Sequence, residues 1–173
     1  VPHDVYGLAK LMGGKKRFID KLQMVFDEGL YDPANEPDIA YPYLFSYFKG
    51  EEWRTQKETQ RLLDKYFTTK PDGIPGNDDT GTMSSWAIFN MIGFYPDCPG
   101  LPEYTLTTPV FDKVTIRLDP KWYKEKELVI ESNRAQPGTL YINKVLLNGK
   151  KFNKYRITHD ELVHGQHIYF DLK

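Results

Sequence analysis

The loop Gly76-Asn77-Asp78-Asp79-Thr80-Gly81 has the residue types best suited to chemistry, and it directly precedes an apolar segment. Its glycines, together with Gly73 and Pro75, predict a tight backbone path. Adjacent side chains need not point the same way, so one carboxylate can face a cavity while the other caps or braces a helix. Asp is among the best helix-capping residues, so capping by Asp78 or Asp79 is the simpler interpretation.

The two acids also lie where a helix is predicted to begin. A helix start stabilises carboxylate anions and lowers their pKa, which suits a general base better than a general acid. A calcium-binding EF-hand does not fit, because it needs Asp or Asn at the position of Gly81 and a closing Glu. A phosphate-binding loop does not fit either, because no Gly-Lys-Ser/Thr follows.

A second polar segment, Ala34-Asn35-Glu36-Pro37-Asp38, lies between the first two predicted helices. Its amide and carboxylate oxygens are the ligands that Ca²⁺ prefers, and Ca²⁺ takes about 6–8 of them. Taken alone, the segment is more simply interpreted as the acidic start of a helix. Two acidic loops that each open a helix are nevertheless typical of the inner rim of a helical barrel.

Other features exclude several classes of function. The single Cys98 permits no internal disulfide and no Cys/His zinc spacing, and no Ser/His/Asp order stands out. A net charge of −1 gives no basic excess for nucleic acid, and no apolar run approaches the roughly 20 residues of a membrane span. Five aromatic residues could line a sugar subsite, although a core role is simpler: Tyr41, Tyr43, Phe45, Tyr47 and Phe48.

Hydrophobic periodicity divides the chain near Pro99-Gly100 into two predicted domains, 1–99 and 100–173. The first is predicted to hold four helices: around Phe18–Phe26, from Ile39 to Gly50, around Trp53–Phe67, and from Thr82 to Gly93. The third should turn a charged face to solvent, with Arg54, Lys57, Glu58, Arg61 and Lys65 on it. The fourth carries no charge and is apolar almost all round, so we expect it to be buried on every side.

The second domain shows alternation with period two, which predicts strands. The alternating sets are Val114, Ile116, Leu118; Leu128, Ile130; Leu140, Ile142; and Ile168, Phe170, Leu172. Asn148-Gly149 is a strong signal for a two-residue hairpin, because both residue types accept the positive φ of a type I′ turn. We therefore predict an α+β chain whose second half is a small antiparallel, sandwich-like β-domain.

Taken together, these segments resemble glycoside hydrolase family 92, the calcium-dependent exo-α-mannosidases. The residues that carry the resemblance are Asn35-Glu36-Pro37, the block Gly73–Trp86, and Gly93-Phe94-Tyr95-Pro96 followed by Pro99-Gly100. His3-Asp4-Val5 and Leu147-Asn148-Gly149-Lys150 also match. The motifs occur in the correct order along nearly the whole chain, which makes the resemblance far more specific than one Asp-Asp pair.

The resemblance implies the last helical hairpins of an (α/α)6 barrel, followed by the β-domain. It implies removal of terminal α-mannose, often 1,2-linked, by inversion, with calcium bound to hydroxyls of that mannose. Asp79 matches the family's general base. Asn77 stands where some members carry Asp, which leaves the choice between Asp79 and Asp78 open. Asn35 and Glu36 match the family's segment near the metal and the terminal sugar.

Family members are several times longer, and their general acid is a Glu upstream of the Asn-Glu-Pro segment. Nothing in residues 1–34 matches that acid, so we expect a C-terminal fragment that lacks the N-terminal part of the same enzyme and is inactive alone. The resemblance also implies a bacterial protein that is periplasmic, at the cell surface or secreted. Two alternatives remain: a non-catalytic carbohydrate-binding or structural module, and a helical-barrel hydrolase or phosphorylase acting on another sugar.

Overall fold

The computed structural model describes residues 3–136 and 138–173, and it has the predicted α+β character. Helices dominate the first half and strands the second. The α-helices are α1 (Val5–Leu11), α2 (Lys15–Asp27), α3 (Glu52–Tyr66), α4 (Thr82–Ile92) and α5 (His159–Gly165). A 3₁₀ segment covers Glu36–Tyr47, and one 3₁₀ turn covers Asp79–Gly81. No helix in the described residues is long and apolar enough to cross a bilayer.

The periodicity predicted α2 and α3 correctly. In α2 the apolar face is buried through Phe18, Ile19, Leu22 and Phe26, and the chain leaves the helix before Gly29, whose φ is +69°. In α3, Leu62 and Leu63 are buried, and the helix ends at Tyr66. α1 and α5 are too short to leave a clear pattern of apolar residues, and the sequence did not predict them.

The predicted second α-helix is wrong in type, because Glu36–Tyr47 is a run of 3₁₀ turns. Pro37 lies at its start and Pro42 in its interior. Proline has no N–H to donate, and its ring clashes with the carbonyl four residues earlier, so an α-helix cannot continue through Pro42. The segment still buries a broad apolar surface, which includes Tyr43 and Phe45 at 0% exposure.

The predicted solvent face of α3 needs one correction, because the Glu58 side chain is only 1% exposed. Its carboxylate accepts hydrogen bonds from Arg61 Nε at 2.7 Å and from Gln23 Nε2 at 3.0 Å. These partners compensate the cost of removing the charge from water. Glu58 therefore joins α3 to α2.

The prediction that α4 is buried on every side is also wrong. Met83, Trp86 and Ala87 are buried, whereas Ser85 and Ile88 are exposed, the latter at 59%. Low charge in the sequence does not reveal which face of a helix lacks a neighbour.

The strands form two sheets. The first has the order β1-β2-β7, and the second has the order β3-β4-β8-β5-β6. The strands are β1 (Phe94–Tyr95), β2 (Glu103–Leu106), β3 (Lys113–Arg117), β4 (Glu127–Arg134), β5 (Ile142–Leu147), β6 (Lys150–Phe152), β7 (Arg156–Thr158) and β8 (His167–Leu172). One hydrophobic core takes side chains from both sheets, such as Leu106 and Ile157 from the first and Ile130 and Phe170 from the second.

The prediction of an antiparallel sheet holds for most strand pairs, but β4 and β8 are parallel. Alternation of buried and exposed residues is the same in both kinds of pairing, so the sequence pattern cannot give strand direction. The predicted hairpin at Asn148-Gly149 is confirmed: φ is +49° and +74°, and Leu147 pairs with Lys150 across the turn.

By packing, the chain forms two compact units. The first comprises the chain up to Ala87 together with Asp97–Gly100. The second comprises Ile88–Pro96 and Leu101–Lys173. All candidate site residues lie in the first unit. Completion of the (α/α)6 barrel stays a prediction.

Candidate active site

The Gly76–Gly81 loop has an unusual backbone just before α4. Three successive residues have positive φ: Asp79 at +24°, Thr80 at +56° and Gly81 at +87°. Glycine adopts such angles readily, whereas Asp and the β-branched Thr do so at a cost. Backbone conformations of this kind concentrate at functional sites.

Both carboxylate oxygens of Asp78 accept hydrogen bonds at the start of α4. One carboxylate oxygen accepts a hydrogen bond from the Ser84 amide at 2.8 Å, and the other accepts one from the Ser84 hydroxyl at 2.7 Å. The Asp78 carbonyl oxygen also accepts from the Thr82 amide at 2.7 Å. The Ser84 hydrogen bonds, first that of the hydroxyl, hold the pKa of Asp78 below its usual range. Asp78 thus braces the helix.

Asp79 is held by its backbone and not by its side chain. Its carbonyl oxygen accepts hydrogen bonds from the hydroxyls of Thr80 and Thr82, each at 2.7 Å. The side chains of Asp79 and Asn77 are exposed, and neither forms a hydrogen bond or ion pair within the part of the chain that the structure describes. The loop therefore presents one carboxylate and one amide to solvent, while hydrogen bonds to the Asp79 carbonyl fix its backbone.

The second candidate segment is organised by Asp38. This buried carboxylate accepts hydrogen bonds from the Asp32 amide at 3.1 Å and from the Asn35 side-chain amide at 3.3 Å. Asp32 in turn accepts one from the Ala34 amide at 2.9 Å. Asn35 and Glu36 are exposed. The sequence did not single out Asp38 from the other acids of this segment, because it directly follows Asn35-Glu36-Pro37 and has no local signal of burial.

The structure brings the two loops into contact. A Cβ placed on Gly76 would lie 2.7 Å from the Ala34 Cβ, so only glycine permits this approach. Gly76 also has φ at +75°. Asn77 and Asn35 each follow directly on a contact residue, so the predicted catalytic loop and the predicted substrate loop form one surface.

Behind these loops lies a small apolar pocket. Its walls include Tyr31, Ile39, Met83 and the stacked rings of Phe67 and Trp86, whose centroids are 5.3 Å apart. The proposed aromatic subsite is largely core instead: Tyr43 and Phe45 are fully buried and Phe48 nearly so, as the simpler interpretation held.

The residues predicted to hold calcium have the right donor type. Asn35 and Glu36 offer an amide and a carboxylate oxygen at the surface, and Ca²⁺ binds oxygen ligands. Two donors cannot fill a sphere of about 6–8 ligands. Within residues 3–136 and 138–173, no group of three or more His, Cys, Asp or Glu side chains could hold a metal. The pair fits a partial calcium site, which sugar hydroxyls, water or other ligands would have to complete.

Comparison with known proteins supports the same family. Two solved structures, both from Bacteroides thetaiotaomicron, superpose on this chain with a TM-score of 0.85 at 31% identity: a family GH92 α-mannosidase and a GH92 inverting mannosidase. The two superpositions cover 99% and 100% of this chain, and 23% and 26% of the two solved chains, respectively. The first is also known in complex with mannoimidazole. A protein named as an uncharacterized secreted glycosidase, from Arthroderma benhamiae, is 30% identical over 165 residues.

The chain spans about a fifth to a quarter of the length of these relatives, with 21% of the Arthroderma benhamiae protein covered. The family description "Glycosyl hydrolase family 92 catalytic domain" matches residues 1–173. With a family match along all of its length and the two acidic loops in contact, the chain belongs to glycosyl hydrolase family 92.

Proposed function

We propose that the protein carrying this chain is an inverting exo-α-mannosidase that removes terminal, α-1,2-linked mannose from glycans. The chain belongs to a glycoside hydrolase family, and two of its solved relatives are mannosidases, one of them named as inverting. A relative in complex with mannoimidazole supports a sugar of the mannose type at this site.

The base in this proposal is Asp79. The observation that carries the assignment is a difference between the two neighbouring acids. The Asp78 carboxylate is hydrogen-bonded to Ser84, whereas the Asp79 carboxylate is exposed on a strained turn. Inversion needs a base that activates water on the face opposite the leaving group, with the two carboxyl groups roughly 6.5–9.5 Å apart. An exposed carboxylate with no partner among the described residues meets this need, and the Asn77 amide beside it can help to hold the water.

The general acid belongs to another part of the enzyme. It is expected to be a Glu outside these residues, because the family's acid lies upstream of the Asn-Glu-Pro segment and residues 1–34 offer no match to it. Relatives four to five times longer leave ample chain for it. The isolated chain therefore supplies the base side of the site and has no turnover of its own.

Asn35 and Glu36 are the proposed ligands for calcium and the terminal sugar. Bound calcium would engage hydroxyl groups of that mannose and assist distortion of its ring. Within this chain, Asn35 and Glu36 supply exposed oxygens, and the contact between Ala34 and Gly76 keeps those oxygens beside the loop of Asp79. A glycan substrate and a relative named as secreted favour residence outside the cytoplasm. We expect a periplasmic, cell-surface or secreted protein.

The test is hydrolysis of α-1,2-mannobiose by the full-length enzyme, followed by proton NMR of the first product. Inversion predicts β-mannose as the initial anomer, and a chelator should abolish its release until calcium is restored. Initial α-mannose, or no mannose release with calcium present, would contradict the proposal. Turnover only with added phosphate would favour a phosphorylase, and saturable binding without turnover would favour a binding module.

A further inference from the structure

Asp38 is a buried acid beside the proposed ligands, and the mechanism above gives it no task. Its side chain is surrounded by donors. The Asp32 amide and the Asn35 side-chain amide both donate to its carboxylate. Tyr41 is also close to Asp38: burial raises the pKa of its hydroxyl most, and the nearby charge of Asp38 raises it further.

This arrangement dictates the orientation of the Asn35 amide. A carboxylate surrounded by donors acts only as an acceptor, so the group that Asn35 turns towards it must be NH₂. The amide oxygen of Asn35 therefore points away from Asp38. The chemistry of the contact decides between the two amide orientations, which have nearly the same shape.

The outward oxygen lies on the surface shared by the two loops. Asn35 is exposed, and its neighbour Ala34 contacts Gly76 next to Asn77. With the opposite orientation Asn35 would present NH₂, which repels cations and cannot accept a hydrogen bond from a sugar hydroxyl.

We propose that Asp38 is a positioning residue that locks the Asn35 side chain with its oxygen outward, as the acceptor for a divalent cation or a sugar hydroxyl. The inference rests on the proposed function, because it assumes that Asn35 contacts one of these ligands.

The test is Asp38→Asn in the full-length enzyme. The substituted side chain has the same size, and its oxygen can still accept from the Asp32 amide, while its NH₂ now faces residue 35. The Asn35 amide is then expected to rotate and turn its oxygen inward. Residues that orient metal ligands typically contribute about 10–100-fold to affinity, so calorimetric titration should show calcium binding weakened by about that factor. Separate titration with methyl α-mannoside, with calcium and with chelator, distinguishes a sugar contact from a metal contact.

The double variant Asp38→Asn/Asn35→Asp supplies the rescue. A carboxylate at position 35 can accept from the new NH₂ with one oxygen and keep the other outward, so the affinity should return to near that of the wild type. The matched control is Asp32→Asn, because its oxygen can still accept from the Ala34 amide without contacting Asn35. This control should bind as the wild type does.

Unchanged affinity in folded Asp38→Asn would overturn the inference. So would a folded double variant that binds at least tenfold more weakly than the wild type, and that result remains available if the single variant unfolds. Wild-type enzyme that binds neither calcium nor mannoside and releases no mannose would instead overturn the proposed function, and the inference with it. Normal wild-type turnover with an unaffected Asp38→Asn would leave the proposed function standing and remove only the role of Asp38.

Discussion

The starts of α4 and α5 perform the same structural task in different ways. At α5, Thr158 and Glu161 form a reciprocal capping box, with the Glu161 amide donating to the Thr158 hydroxyl at 3.1 Å and the Thr158 amide donating to the Glu161 carboxylate at 3.0 Å. Thr158 has an ordinary extended backbone, with φ −74° and ψ 157°. At α4, Asp78 reaches Ser84 across a turn that forces Asp79 and Thr80 to positive φ.

The comparison shows that strain is not needed to start a helix. A capping box satisfies the free amides with relaxed backbone. The extra cost at α4 fixes the position of an exposed carboxylate, and departures from local rules of this kind are expected where function requires them.

The largest expected difference between the two helix starts is in turnover. Both carry an exposed acid, Asp79 before α4 and Asp160 in the first turn of α5. In the full-length enzyme, Asp79→Asn should lower kcat by about 10²–10⁴-fold, the usual loss when a general base is removed. Asp160→Asn should leave kcat within about twofold, since surface changes away from a site are nearly neutral. Equal effects in steady-state assays would mean that the acid at α4 has no special role.

A smaller difference concerns backbone strain. Thr80 and Gln166, the latter at the end of α5, both have φ of +56°. Substitution by Gly relieves roughly 1–2 kcal/mol of steric cost and adds roughly 0.5–1 kcal/mol of chain entropy. Gln166→Gly should thus raise the free energy of unfolding by about 0.5–1 kcal/mol, measured by urea denaturation. Thr80→Gly should raise it less, because it also removes the hydroxyl hydrogen bond to the Asp79 carbonyl, which is worth about 0.5–1.5 kcal/mol. Only Thr80→Gly should also lower kcat, and a loss of stability larger than that of the hydrogen bond would show that the turn stores no strain.

The smallest effect is the response to acid, which should be alike at both helix starts. The Ser84 hydrogen bonds lower the pKa of Asp78, and the Thr158 backbone hydrogen bond is the largest cause that lowers the pKa of Glu161. A carboxyl group whose pKa is lowered in the folded state stabilises the fold fully at pH values above its ordinary pKa of about 4. This stabilisation is lost as the pH falls through the lowered pKa. Asp78→Asn and Glu161→Gln should each flatten the fall of the urea midpoint below about pH 4. Curves parallel to that of the wild type would contradict this.

The sequence alone predicted those parts of the fold that depend on local pattern. α2 and α3 followed from a long apolar stripe, and the turn at Asn148-Gly149 followed from the φ angles that these residue types accept. The 3₁₀ segment was mispredicted as an α-helix, although Pro42 in its interior is incompatible with one. The burial of Glu58 and the parallel pairing of β4 with β8 depend on partners distant in sequence, which no local pattern encodes.

The candidate site could likewise be predicted from the sequence only in part. Its residues could be selected from the order of the motifs, and the family membership is confirmed. The separate tasks of Asp78 and Asp79 could not be predicted, because the two acids are adjacent and chemically identical. The hydrogen bonds from Ser84 distinguish them. The roles of Asp79, Asn77, Asn35 and Glu36 in catalysis and binding stay predictions.

The position of β8 has a consequence for how the chain folds during synthesis. β3–β4 and β5–β6 are pairs of neighbouring strands and can form early, but β8 fills the place between β4 and β5. Contacts between distant residues form slowly, because a long loop must close first. Until Leu172 has left the ribosome, β4 and β5 therefore each keep one unpaired edge, and such edges invite aggregation. The nascent second unit should depend most on chaperones until β8 has emerged.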